Sequence, residues 1–134
     1  MSQATTTERW SWWHVAALAV VFVAGIGIRI ALLPAEGLKG DLDQFVLWVH
    51  GIAVNGLGNA YEQNLSFPAV MAYVWGVLAF LEPAFRTVTD SADPWIRTLM
   101  KIPASLADIG LALLMVYAFR ARPFWAVVTA AIVM

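Results

Sequence analysis

Apolar positions along the chain gather into long runs separated by short polar stretches. The first run extends from about Trp12 to Leu33, interrupted only by His14 and Arg29. A helix of roughly 20 apolar residues crosses a bilayer core, so the run predicts a span over 12–33, closed by Pro34, which has no N–H to continue a helix. A second run, 67–85, opens on Pro68, a residue suited to a first helical turn, and ends at Glu82-Pro83. A third, 102–119, carries Asp108 near its middle. A polar connection over 86–94 and a short interfacial turn over 95–101 precede it. The fourth, 124–134, offers about 16 Å of helix at the usual rise. That is short of a bilayer core, so we read it as the start of a span that a longer protein completes.

Between the first two runs the pattern changes. Asp41, with Gln44 three residues on, has the spacing of a helix-capping pair. Phe45, Trp48, Val49 and Ile52 then recur at helical intervals, with Asp43, Leu47, His50 and Val54 on the other side. This predicts an amphipathic helix over 41–54 of the kind that lies in the membrane interface. Asn55 to Asn59 supply turn residues, and Tyr61 to Asn64 continue a polar loop. Two residues apart on a helix point about 200° apart. Asp41, seven before Trp48, is therefore expected to face protein, and Asp43 and His50 to face water. The predicted fold class is all-α: a polytopic transmembrane helical bundle, residues 1–134 forming the N-terminal part of one domain, with an interfacial helix in its first outer loop.

Composition supports a lipid solvent. The chain is 61% hydrophobic and 13% charged, against about 45–50% and 25% in soluble domains. Trp10, Trp12 and Trp13 suit an interface at the start of the first span. The net charge of −1 gives no basic footprint for nucleic acid. Without cysteine there are no disulfides, thiolate metal sites or thiol nucleophiles. Met1 to Arg9 lacks the cationic run of a signal peptide, which reads as a retained first span. Alternating spans would set Arg9, Arg86, Arg97 and Lys101 on one side, against Lys39, Arg120 and Arg122 on the other. The excess marks the first side as cytoplasmic and puts loop 34–66 on the outer face.

Three acids could carry chemistry. Asp41 and Asp43 could bind a divalent cation, or one could act as a general base; Asp41 could equally be a helix cap. Asp108 lies deep in a span, where a charge is costly and commonly functional; the alternative is a helix–helix tie, for example with Lys101. Arg29 could snorkel to the headgroups or face a polar cavity. His14 and His50 show no zinc-site spacing. Asn64-Leu65-Ser66 is a formal glycosylation sequon, relevant only in a secretory setting.

The order of these features resembles the start of GT-C fold integral membrane glycosyltransferases, most closely the polyprenyl-phosphate-sugar-dependent glucosyl- and mannosyltransferases. Their pattern is approximately Gly-Asp-x-Glu-x-x-x-x-Trp, then Tyr-Pro-Pro-x-x-x-Tyr at the head of the next span. Gly40-Asp41-Leu42-Asp43 and Trp48 match the first part, with Asp for Glu; Phe67-Pro68-Ala69-Val70-Met71-Ala72-Tyr73 matches the second, with Phe for Tyr and Ala69 for the second Pro. Arg97 followed by Asp108 also looks like the family, and the resemblance covers most of 12–120. It implies transfer of a sugar from a polyprenyl-phosphate donor to a glycan, protein or envelope acceptor, with Asp41 as catalytic base. Asp43, Trp48, Tyr61, Pro68, Arg29 and Asp108 would support substrate binding, with Mg or Mn the one cofactor in view. The plain N-terminus points to a prokaryotic plasma membrane, or to the endoplasmic reticulum membrane if the source is eukaryotic. Family members are several hundred residues long, so the chain alone is expected to be inactive. Two other readings stand beside it: a transporter using Asp108 and Arg29, and a small structural subunit whose polar residues knit helices together.

Overall fold

The computed structural model describes residues 9–63 and 65–134, without the side chains of Lys39 and Gln63. The polar leader 1–8 and the sequon's Asn64 lie outside them. Among the described residues every regular element is helical: α1 (Trp12–Leu32), α2 (Lys39–Asn55), α3 (Ala69–Leu81), α4 (Pro94–Ala118) and α5 (Pro123–Val133), with short 3-10 helices at Leu57–Gln63 and Pro83–Arg86. Of these, α1 and α4 are long and apolar enough to cross a membrane.

The chain divides into two compact units. One comprises Met1–Leu32, described from Arg9, with Ala104–Met134; the other is Leu33–Pro103. The division falls within α4, at Pro103, which has no N–H to offer the Leu99 carbonyl one turn back.

The Leu33–Pro103 unit is built around α2. Its helix begins two residues before the expected start, and its N-cap is Leu38, which makes no side-chain cap bond. Asp41 therefore sits in the first turn rather than at the cap. The helix ends at Gly56, whose φ of 83° is readily adopted only without a Cβ, and whose N–H closes on Ile52 O at 2.9 Å. Val46, Val49 and Ile52 of α2 are buried with Trp75 and Leu78 of α3, Phe85 of the 3-10 turn, and Ile96 and Met100 of α4. Val46, Val49, Phe85 and Ile96 are at most 1% exposed. Each such side chain contributes about 1.5–3 kcal/mol relative to full exposure. Beside this core, Phe45, Trp48, Phe67 and Trp75 form an aromatic cluster with centroids 5.3–5.9 Å apart.

Two expected spans change here. The run over 67–85 forms a helix only from Ala69 to Leu81, 13 residues. That is about 20 Å, against a hydrocarbon core of about 30 Å. Pro68 delays its start, and Glu82, held extended before Pro83 (φ −123°, ψ 101°), ends it. The 3-10 turn that follows is capped by the Glu82 carboxylate, which accepts from Ala84 N–H at 3.0 Å and from the Trp95 indole at 2.8 Å. Conversely, the expected turn over 95–101 is the start of α4, which runs unbroken for 25 residues. Asp93 starts it by accepting the Trp95 N–H at 2.7 Å, a side-chain N-terminal cap.

In the other unit α1 and α5 run parallel. A Cβ added at Gly25 would lie 2.8 Å from Met134 Cβ, and Ala126 and Ala130 are fully buried. Small residues thus set the close approach. The later part of α4 runs antiparallel to α1: Arg29 pairs with Asp108, and the Trp10 indole donates to Arg120 O at 2.7 Å. Arg120 and Arg122 therefore sit at the same end of this unit as the start of α1, not at the opposite end from Arg9 as strict alternation of four spans required. Most of α1 stays uncovered: Val20, Val23, Ile28 and Ile30 are 60–73% exposed.

Candidate active site

The acidic pair sits on the first turns of α2, but its two members face the reverse of what the apolar stripe suggested. Asp41 is exposed, and Asp43 is half-buried. Asp43 Oδ1 accepts the Ser91 N–H at 2.8 Å and also the Ser91 hydroxyl, while Ser91 itself is 3% exposed. His50, also expected to face water, turns inward as well: its Nδ1 donates to Phe85 O at 2.9 Å. The cause is that α2 is covered on two sides, by α3 and by the 3-10 turn. Its buried arc then reaches past the 45/48/49/52 stripe to Leu42 and Val46.

A second set of bonds fixes the backbone leading into this turn. Arg97 donates from Nη1 to Ser91 O and Ala92 O, both at 2.9 Å, and from Nε to Pro34 O at 2.9 Å. Lys101 donates from Nζ to Ala35 O. Charged donors make hydrogen bonds roughly twice as strong as neutral ones. The segment before α2 and the segment before α4 are thus clamped together, with Asp43–Ser91 as a third tie. A small polar cavity of about 120 Å³ lies here, lined by Glu36, Gly37, Ser91, Ala92 and Arg97. Ser91 and Glu36 were not singled out by sequence; the Asp-Ser-x-Asp-Pro string 90–94 was the only local signal of an ordered turn.

The remaining candidates fall into three groups. Trp48, expected to help bind substrate, is 8% exposed within the aromatic cluster and serves the core. Tyr61 is 53% exposed, its hydroxyl donating to Phe67 O at 3.4 Å, and Pro68 is the N-cap of α3. Arg29 and Asp108 belong to the other unit. Instead of snorkelling, Arg29 pairs with Asp108 at 3.0 Å and donates to Val133 O at 2.9 Å and to Met134 O. Asp108 thus takes Arg29, not Lys101, as its ion-pair partner.

Asp41 and Asp43 do not converge on one point: they project from different sides of the helix, and Asp43 Oδ1 already holds Ser91. Among the described residues no three His, Cys, Asp or Glu side chains come together. Among the described residues the exposed Asp41 carboxylate has no hydrogen-bond partner and can accept a proton. No protein-family profile, curated protein or solved structure matches the chain.

Proposed function

We propose that the chain is part of a GT-C type membrane glycosyltransferase that moves a sugar from a polyprenyl-phosphate donor to a lipid-linked glycan, protein or envelope acceptor. Asp41 is the base. The observation that carries this reading is an exposed carboxylate on the first turn of α2, on backbone clamped by Arg97 and by Asp43–Ser91. Fixed geometry is what a general base requires. Asp41 takes the acceptor hydroxyl proton as the acceptor oxygen bonds to the anomeric carbon. The bond from that carbon to the phosphate oxygen breaks, and its electron pair leaves with polyprenyl phosphate. Asp43 acts at one remove, as a positioning residue. The two membrane-length helices and the bare apolar face of α1 support placement in a membrane, with Asp41 on the outer face of a prokaryotic plasma membrane or its luminal counterpart.

The test is transfer from radiolabelled polyprenyl-phosphate sugars in membranes expressing the gene product. Asp41→Asn is expected to lower transfer by about 10²–10⁴-fold, and Asp43→Asn by about tenfold through lost positioning. Undiminished transfer by Asp41→Asn at normal expression would remove Asp41 as the base.

One observation favours a structural role for the other acid. Asp108 and Arg29 form an ion pair, and Arg29 also donates to the backbone carbonyls of Val133 and Met134. Groups so paired tie helices together.

A further inference from the structure

On the far side of α2 from Asp43, α2, α3 and the Leu57–Gln63 turn enclose an apolar groove of about 390 Å³. That lies within the 300–1,000 Å³ of ordinary ligand clefts. Its walls are Ile52, Leu57, Tyr73, Val77 and Phe80, and Arg86 completes the lining. Tyr73, Val77 and Phe80 are 64%, 56% and 86% exposed. They recur at i, i+4 and i+7 along α3 and form one bare stripe of a helix too short to span a bilayer by itself. Gly76 forms part of the floor; a Cβ there would press on Leu57 Cδ1 at 3.3 Å, so its absence lets the Leu57 turn close down on α3.

Arg86 differs from the other arginines of this unit. Arg97 is engaged by three carbonyls, whereas Arg86 is exposed and has no hydrogen bond or ion pair among the described residues. An apolar trough with one unpaired guanidinium at its rim complements an amphiphile that has an apolar chain and an anionic head. Guanidinium binds phosphate oxygens in a fork. We propose that this groove seats one acyl chain of an anionic membrane phospholipid, with the lipid phosphate held by Arg86. The proposal rests on the membrane placement above and not on the transfer chemistry.

The experiment is native mass spectrometry of the detergent-solubilised protein titrated with phosphatidylglycerol or with phosphatidylcholine of the same chains. Phosphatidylglycerol is expected to be retained preferentially. Arg86→Gln should weaken its retention about tenfold, the loss of one charge-assisted bond, and Arg86→Lys should restore part of it. Val77→Trp fills the groove from an exposed position and should also abolish the preference. Asp41→Asn should leave retention unchanged, which separates this site from the fate of the proposed base. Equal retention of the two lipids by the parent protein would overturn the proposal. So would loss in Arg86→Gln but not in Val77→Trp, which reduces the effect to surface charge. Release by inorganic phosphate alone, or a second copy of the chain cross-linked through Phe80, would overturn it too.

Discussion

The two units solve the problem of burying apolar surface in opposite ways. The Leu33–Pro103 unit uses short helices and large side chains: Trp48, Trp75, Phe85 and Ile96 are each at most 8% exposed, and polar ties such as Asp43–Ser91 and Arg97–Pro34 lock its edges. The other unit uses long helices and small contact residues, Gly25, Ala126 and Ala130, with one ion pair among the described residues, and leaves most of α1 exposed. The first carries its own apolar core. The second presents to its surroundings what a water-soluble fold would hide, as helices packed within lipid do, where close van der Waals approach replaces the hydrophobic drive. A single mean hydropathy for the chain conceals this difference.

The contrast can be broken most readily at Trp75. Trp75→Ala is expected to cost about 3–5 kcal/mol by emptying the aromatic cluster, read as a lowered melting temperature by circular dichroism in detergent. Arg29→Leu should cost less, about 0.6–2 kcal/mol, the range measured for polar ties between membrane helices. Adding Asp108→Leu should recover part of that by removing the orphaned acid. Equal losses from Trp75→Ala and Arg29→Leu in the same melting experiment would show that the two units do not differ in kind.

The smallest effect is a pH response at the α3–α4 connection. The Trp95 indole, and after it the Ala84 N–H, hold the Glu82 carboxyl below the usual carboxylate value; Glu82 lies past the end of α3, outside the candidate spans. A folded-state pKa below the unfolded one means that this contribution is complete above the unfolded value. It fades as pH falls through the lowered folded value. Titrating Trp95 fluorescence downward through the carboxylate range should show a step that Glu82→Gln lacks.

Much of the helical layout was legible because the runs were long and their punctuation local. Pro34 and Gly56 act within a turn of the boundaries they set. Lengths failed where a residue's effect depended on distant partners. Arg97 and Lys101 looked like the polar mark of a separate interfacial turn, yet α4 continues through them because their charges are satisfied by Pro34 O and Ala35 O. Asp41 and Asp43 were legible as a pair of acids, but not which of them stays free. That depends on Ser91, 48 positions away in sequence, and on an α2 buried over a wider arc than one stripe reveals. Trp48 shows the same limit: an aromatic at a motif position and an aromatic in a core leave the same trace in a single sequence.

The bond from the Trp10 indole to Arg120 O has a consequence for the path of the chain. It pins the beginning of α1 and the turn after α4 at one end of their unit, so the two membrane-length helices make a there-and-back pair. Within that unit, the start of α1 and residues 119–122 mark one end, and the Arg29–Asp108 pair lies toward the other. Because the chain has no cysteine, reporters at Arg9→Cys and Ala121→Cys should react with an impermeant maleimide from the same side.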